Sequence, residues 1–140
     1  MMYLLDTNVM SEFRKASTGK IDLRVKAWAQ RVPDSSMFLS AVSILELEKG
    51  VLLMERRDPL QGRLLRTWLD GHVLSSFAGR ILSFDAAVAQ RCARLHVPTP
   101  RSDRDSMIAA TALEYSMTVV TRNVNDFAAT GVMMLNPWQP

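Results

Sequence analysis

Short apolar runs that stop at a polar residue and pass straight into a helical repeat recur along this chain, and that alternation restricts the fold more than any other feature. Tyr3-Leu4-Leu5 stops at Asp6-Thr7-Asn8 and enters Val9-Met10-Ser11-Glu12-Phe13, which reads as a buried strand feeding a capped helix. An amphipathic helix over Leu23 to Trp28 ends near Val32-Pro33, because the residue before proline avoids helical geometry. Met37 to Ser40 is the next strand. From Ala41 to about Arg57, Val42, Ile44, Leu45, Leu47, Val51, Leu52 and Leu53 form a wide helical face, with Gly50 expected at a close packing point. Pro59 opens another helix carrying Leu60, Leu64, Leu65, Trp68 and Leu69. Arg80 to Phe84 reads as a strand, followed by a helix that Asp85 caps, with no chemistry expected of Asp85. Asp103 to Tyr115 is an Ala-rich helix, Met117 to Thr121 a strand, Asn123 to Ala128 a short helix and Val132 to Leu135 a last strand. This order predicts one α/β/α sandwich over residues 1–140 around a mainly parallel central sheet.

With 140 residues, 48% of them hydrophobic, the chain can bury one core. A single cysteine, Cys92, excludes an internal disulfide, and two histidines far apart in sequence, His72 and His96, speak against zinc. The N-terminus lacks a basic leader, and no apolar run approaches the ~18 residues of a membrane span, so a cytoplasmic protein is expected. Seventeen Lys and Arg against fourteen Asp and Glu give a charge of +3, which suits an anionic partner and equally a solvated surface.

In an open parallel sheet, ligands bind beyond the carboxyl ends of the strands. Asp6 stands at one such end; Thr121, Arg122, Asn123 and Asp126 stand at another. Asp105 lies in the first turn of the Ala-rich helix, and Glu46 sits in an otherwise apolar helix. Four carboxylates can thus converge, and without a counterion they would repel one another. Oxygen ligands with no His or Cys nearby suit Mg²⁺, with Mn²⁺ as the other candidate. Each acid also has a plainer use. Asp6 can cap the helix at Thr7, Ser102 to Asp105 fits a capping box, and Asn123 and Asp126 stand in the same relation. Glu48 lies four residues from both Ile44 and Leu52, so periodicity does not choose between it and Glu46.

The blocks Leu4-Leu5-Asp6-Thr7-Asn8, Leu39-Ser40-Ala41 through Glu46-Leu47 to Gly50, Asp105-Ser106-Met107-Ile108-Ala109-Ala110-Thr111-Ala112, and Thr121-Arg122-Asn123 with Asp126-Phe127 occur in the order seen in PIN domains. From Tyr3 to Trp138 the chain resembles the VapC family of PIN-domain toxins, and its ending Leu135-Asn136-Pro137-Trp138 is similar to the FitB-like branch. The resemblance implies a metal-dependent endoribonuclease that is the toxin of a type II toxin-antitoxin system and is inhibited by a cognate antitoxin. It places Asp6, Glu46 and Asp105 at acidic metal positions, preferring Glu46 to Glu48 and Asp105 to Asp103. The fourth acidic position falls on Asn123, with Asp126 one turn later. Thr121 matches a supporting hydroxyl and Asn8 lies in the first block. A homodimer, a hetero-oligomer with the antitoxin, and contact with operator DNA only through the antitoxin are implied as well.

No histidine lies near the motifs to act as a base, so water activated on the ion is the expected nucleophile. Arg122 and Arg101 are the first candidates for RNA phosphates, with Arg14, Lys15 and Arg104 also near the motifs, and Arg56, Arg57, Arg63 and Arg66 on the helical pair. The competing reading is a nucleic-acid-binding regulatory subunit that acts with an antitoxin on DNA and hydrolyses little. A phosphatase using Asp6 as nucleophile would want a second aspartate where Asn8 stands. The apolar helices around Val51 to Met54 and Leu60 to Trp68 carry more hydrophobic surface than one sheet face needs, which predicts an interface.

Overall fold

The computed structural model describes residues 1–140. Strands β1 (Tyr3–Leu5), β2 (Met37–Ser40), β3 (Ile81–Leu82), β4 (Thr118–Val120) and β5 (Met134–Leu135) form one sheet in the order β3-β2-β1-β4-β5. Every pairing is parallel: Tyr3 and Leu4 lie beside Met37 and Phe38 on one side, and Tyr3, Leu4 and Leu5 beside Thr118, Val119 and Val120 on the other. A parallel sheet is covered on both faces, which is why its strands are apolar at consecutive positions.

The pleat divides those positions between two cores. Leu5, Met37, Leu39 and Val120 pack with Val9 and Met10 of α1 (Thr7–Phe13), Val25 and Trp28 of α2 (Leu23–Arg31), and Leu47 and Val51 of α3 (Ala41–Arg57). Trp138 closes this core from the C-terminal end. Leu4 and Val119 face the other way, against Ile108, Ala109 and Ala112 of a long helix over Asp103–Glu114 and Phe127 of a short one over Val124–Phe127. From α3 the chain runs through α4 (Pro59–Trp68), a π turn at Leu69–Val73 and α5 (Leu74–Ser76) to β3, and α6 (Ala86–Leu95) follows β3; the helices at 103–114 and 124–127 are then α7 and α8. Val88 and Cys92 of α6 pack on Ala110 of α7, and burial there pushes the Cys92 thiol up from its ordinary pKa.

Caps fall at polar residues as the sequence suggests. Asp22, Ser40, Asp58 and Asp85 each accept a first-turn N–H, and Pro59 opens α4 where its missing N–H costs nothing. Several local expectations are corrected. A side-chain cap by Asn123 is absent: Asn123 stands before α8 but makes no such bond. Gly50 is no packing point either, since a Cβ there would meet nothing within 4 Å. The close approach is at Gly62, where a Cβ would run into the Glu55 backbone, because α3 and α4 fold back on each other about Asp58. Only Ile81 and Leu82 of the expected Arg80–Phe84 strand are strand, and the last strand is likewise trimmed to Met134 and Leu135. Each is an edge strand with one neighbour to pair with.

Candidate active site

The chain fills the sheet from β1 outward to β3, then returns to place β4 on the other side of β1. Strand order reverses between β1 and β4, so a crevice opens beyond their carboxyl ends. Asp6 follows β1 immediately, its N–H still donating to the Val120 carbonyl at 2.9 Å, and its side chain is fully buried. One carboxylate oxygen, Oδ1, accepts from the Thr7 N–H at 2.8 Å, so the capping role is real. The other, Oδ2, accepts from the Thr121 hydroxyl at 2.8 Å and from Asn8 Nδ2 at 3.4 Å. Thr121 in turn accepts from the Asn123 N–H at 3.0 Å, and Asn8 Oδ1 from the Arg122 N–H at 3.4 Å. The two strand ends are thereby stitched together around one buried acid.

Glu46 reaches the same crevice from α3. Its Oε1 accepts from the Thr7 hydroxyl at 2.5 Å, and with that single proton given away Thr7 accepts from Ser43, one turn before Glu46, at 3.0 Å. Glu48 points elsewhere. Arg66 of α4 grips it with two bonds of 2.8 and 2.6 Å, also touching Glu55, and holds the Glu48 carboxyl below the usual carboxylate range.

A residue that sequence reasoning left at the rim joins these acids. Arg104, second in α7, donates from Nε to Glu46 Oε2 at 2.6 Å, from Nη1 to Asp105 Oδ1 at 2.6 Å and from Nη2 to Asp6 Oδ1. Burial opposes its charge, but the bonds to Glu46 and Asp6 outweigh that and hold the guanidinium above its ordinary pKa. Asp105 makes only half of the expected capping box. Its N–H donates to Ser102 Oγ at 3.5 Å, while its carboxylate turns to Arg104 instead of back to the cap. Asp103 stays in solvent, 3.8 Å from His96.

Three carboxylates from three separate elements thus surround one cation. Asp126 is not among them: it is exposed on α8, without a side-chain bond, and so is Asn123. Arg122 is exposed with its guanidinium 5.3 Å from the Trp138 ring centre, not paired with Asp126. Arg101 gives its Nε–H to the Leu95 carbonyl at 2.7 Å. Thr7 and Glu46 also line a cavity of about 220 Å³ together with Arg14, Leu65 and Trp68. No group of three His, Cys, Asp or Glu side chains is spaced to hold a metal ion, and the Arg104 guanidinium lies between the three acids. The donor set itself, anionic oxygens at a crevice mouth, fits a hard divalent cation.

Sequence reasoning named Arg104 only as a candidate phosphate contact and gave Thr7 no role beyond opening its helix. The signal for both was the cluster's own charge: acids brought together need a cation and hydroxyl donors.

Residues 3–132 match the PIN domain family. The chain is 37% identical over 147 residues to VapC ribonuclease Y4jK of Sinorhizobium fredii, covering 99% of each chain. It is 37% identical over 145 residues to Toxin FitB of Neisseria gonorrhoeae, covering 98% of this chain and 99% of that one. The crystal structure of FitAcB from Neisseria gonorrhoeae superposes with a TM-score of 0.89 at 36% identity, over 99% of this chain and 100% of that chain. The structure of FitAB bound to an IR36 DNA fragment gives 0.87 at 36% identity, over 98% and 96%. The family match, the near full-length identity and the superposition agree, and the chain belongs to the PIN-domain family.

Proposed function

We propose that this chain is the toxin of a type II toxin-antitoxin system, an endoribonuclease that hydrolyses RNA phosphodiester bonds with Mg²⁺, or Mn²⁺ in its place, and is held inactive by a cognate antitoxin. The observation that carries the reading is the convergence of Asp6, Glu46 and Asp105 on a single cationic centre at the point where strand order reverses. Arg104 brings one positive charge to three carboxylates, and an all-oxygen anionic donor set at a crevice mouth suits a hard divalent ion, which a purely regulatory DNA-binding subunit would not require. The relatives' names, VapC ribonuclease and Toxin FitB, and the FitAB complex on DNA support the same reading.

Asp6, Glu46 and Asp105 would hold the ion, which when bound polarises a phosphodiester and lowers the pKa of an attacking water. The chain's own residues set the geometry. Thr121 and the Thr7 N–H fix both oxygens of Asp6, and the Thr7 hydroxyl fixes Glu46, so these acids meet the substrate already oriented. Asn8 and Asn123 hold Thr121 and the strand ends together. Asp126 enters as an outer carboxylate on α8, outside the cage. Arg122, carried on Trp138, offers a guanidinium to an RNA phosphate, and Arg101 is a second contact farther along the rim. The partners are RNA, a second copy of the chain and the antitoxin, with operator DNA reached through the antitoxin.

Purified, antitoxin-free protein incubated with labelled single-stranded RNA tests this reading. Cleavage with Mg²⁺ that stops with chelator and returns with excess Mg²⁺ is expected; cleavage indifferent to chelator, or none with any RNA and either ion, would overturn it.

A further inference from the structure

We propose that Arg104 is a built-in occupant of the cation site: it competes with the divalent ion for the same carboxylate oxygens and leaves the centre when the ion binds. This rests on the reading of Asp6, Glu46 and Asp105 as the ion's ligands, and gives Arg104 a role inside the cage instead of on an RNA-facing rim.

All three nitrogens of the guanidinium are in use, each on a different acid and each acid from a different element: Asp6 after β1, Glu46 on α3, Asp105 on α7. The remaining oxygens of two of these acids are already taken, Asp6 Oδ2 by Thr121 and Glu46 Oε1 by Thr7. The oxygens that point into the centre are therefore the ones Arg104 holds, and an ion using them finds the guanidinium in its place. Two cations within one such cage repel strongly, so the two occupancies exclude each other.

Without an ion, three acids facing one another would be left uncompensated, and Arg104 supplies the missing charge. It can also leave. Arg104 sits in the first turn of α7 with a third of its side chain exposed (33%), so rotation about its own bonds carries the charge into solvent while the helix stays still. The apparent affinity for the ion is then the intrinsic affinity reduced by the fraction of molecules whose centre is open.

Calorimetric titration of Mn²⁺ into wild type and Arg104→Gln, alongside the Arg104 Nε–H resonance of wild type during Mg²⁺ titration, tests this. Arg104→Gln should bind Mn²⁺ about tenfold more tightly or better, the gain expected if under a tenth of wild-type molecules are open. Its unfolding temperature in chelator should fall below wild type and rise more on adding Mn²⁺. The wild-type Nε–H should be protected from exchange without ion and lose protection at saturating Mg²⁺. Equal or weaker Mn²⁺ binding by a folded Arg104→Gln overturns the proposal and leaves the metal site standing. If the variant does not fold, the wild-type resonance decides, and protection that survives saturating Mg²⁺ overturns it. Absence of ion binding to either protein removes the metal reading and this proposal together.

Discussion

Asp103 and Asp105 are two positions apart in the first turn of α7, and successive side chains on a helix point about 100° apart, so the pair faces in different directions. Asp103 lies in solvent with its side chain 85% exposed, whereas Asp105 is 17% exposed and bonded to Arg104. Asp103→Asn should keep RNA cleavage within about twofold of wild type, while Asp105→Asn should lose about 100-fold or more, as expected when a ligand is weakened beyond the 10–100-fold typical of its supporting partners. Rates measured side by side check this; equal losses would mean the wrong aspartate is in the cage. The residue pattern alone left the choice open, because Ser102 to Asp105 satisfies a capping pattern as well as a ligand pattern, and only the family resemblance preferred Asp105. In the structure Asp105 meets Arg104, whose place depends on α3 and β1 arriving from distant parts of the chain. Beside an aspartate on a helix, an arginine ordinarily signals only a solvated face.

At the scale of elements, the pairing of α3 with α4 resolves the other ambiguity. Arg66 takes Glu48 to the outer side of the helical hairpin and leaves Glu46 facing the crevice, a choice that helical spacing alone could not make. The Glu48 carboxyl is held below the usual range by the Arg66 bonds, so the pair's contribution is present above the unfolded carboxylate pKa and is lost as pH falls through the folded one. The unfolding temperatures of wild type and Glu48→Gln should accordingly differ at neutral pH and converge in acid; a gap that widens in acid would contradict this. The two helices also meet at Gly62, where Gly62→Ala should destabilise by about 1–3 kcal/mol as its Cβ strikes the Glu55 backbone. Gly50→Ala, in open space within α3, should instead stabilise by about 0.8–1.0 kcal/mol through helix propensity. Denaturant unfolding of both variants measures the pair of signs. The sequence located these helices from their apolar period but named the wrong glycine, since period places a residue on a face and says nothing of how closely the next helix approaches.

Across the whole molecule, strand-helix alternation was enough to read one parallel α/β domain, and the apolar pairs Leu4-Leu5 and Val119-Val120 serve both cores because the sheet is covered on both faces. No helix is long and apolar enough to cross a membrane. Leu45, Leu52, Leu53, Leu60 and Leu64 remain more than half exposed on the α3–α4 hairpin, more apolar surface than a solitary molecule keeps in one region. Light scattering at micromolar concentration should give a dimer, and Leu53→Glu should shift it toward monomer; a wild-type monomer under the same conditions would remove the self-association part of the reading.

The claim on which everything else depends is that the buried acid after β1 works on a cation and is more than a helix cap. Asp6→Asn keeps the side chain's shape and the oxygen that accepts from Thr7, while weakening the ligand and the contact with Arg104. RNA cleavage with Mg²⁺ and thermal unfolding, measured together on Asp6→Asn and wild type, should show a cooperative unfolding transition with cleavage abolished. A folded Asp6→Asn that cleaves RNA at the wild-type rate would contradict the assignment.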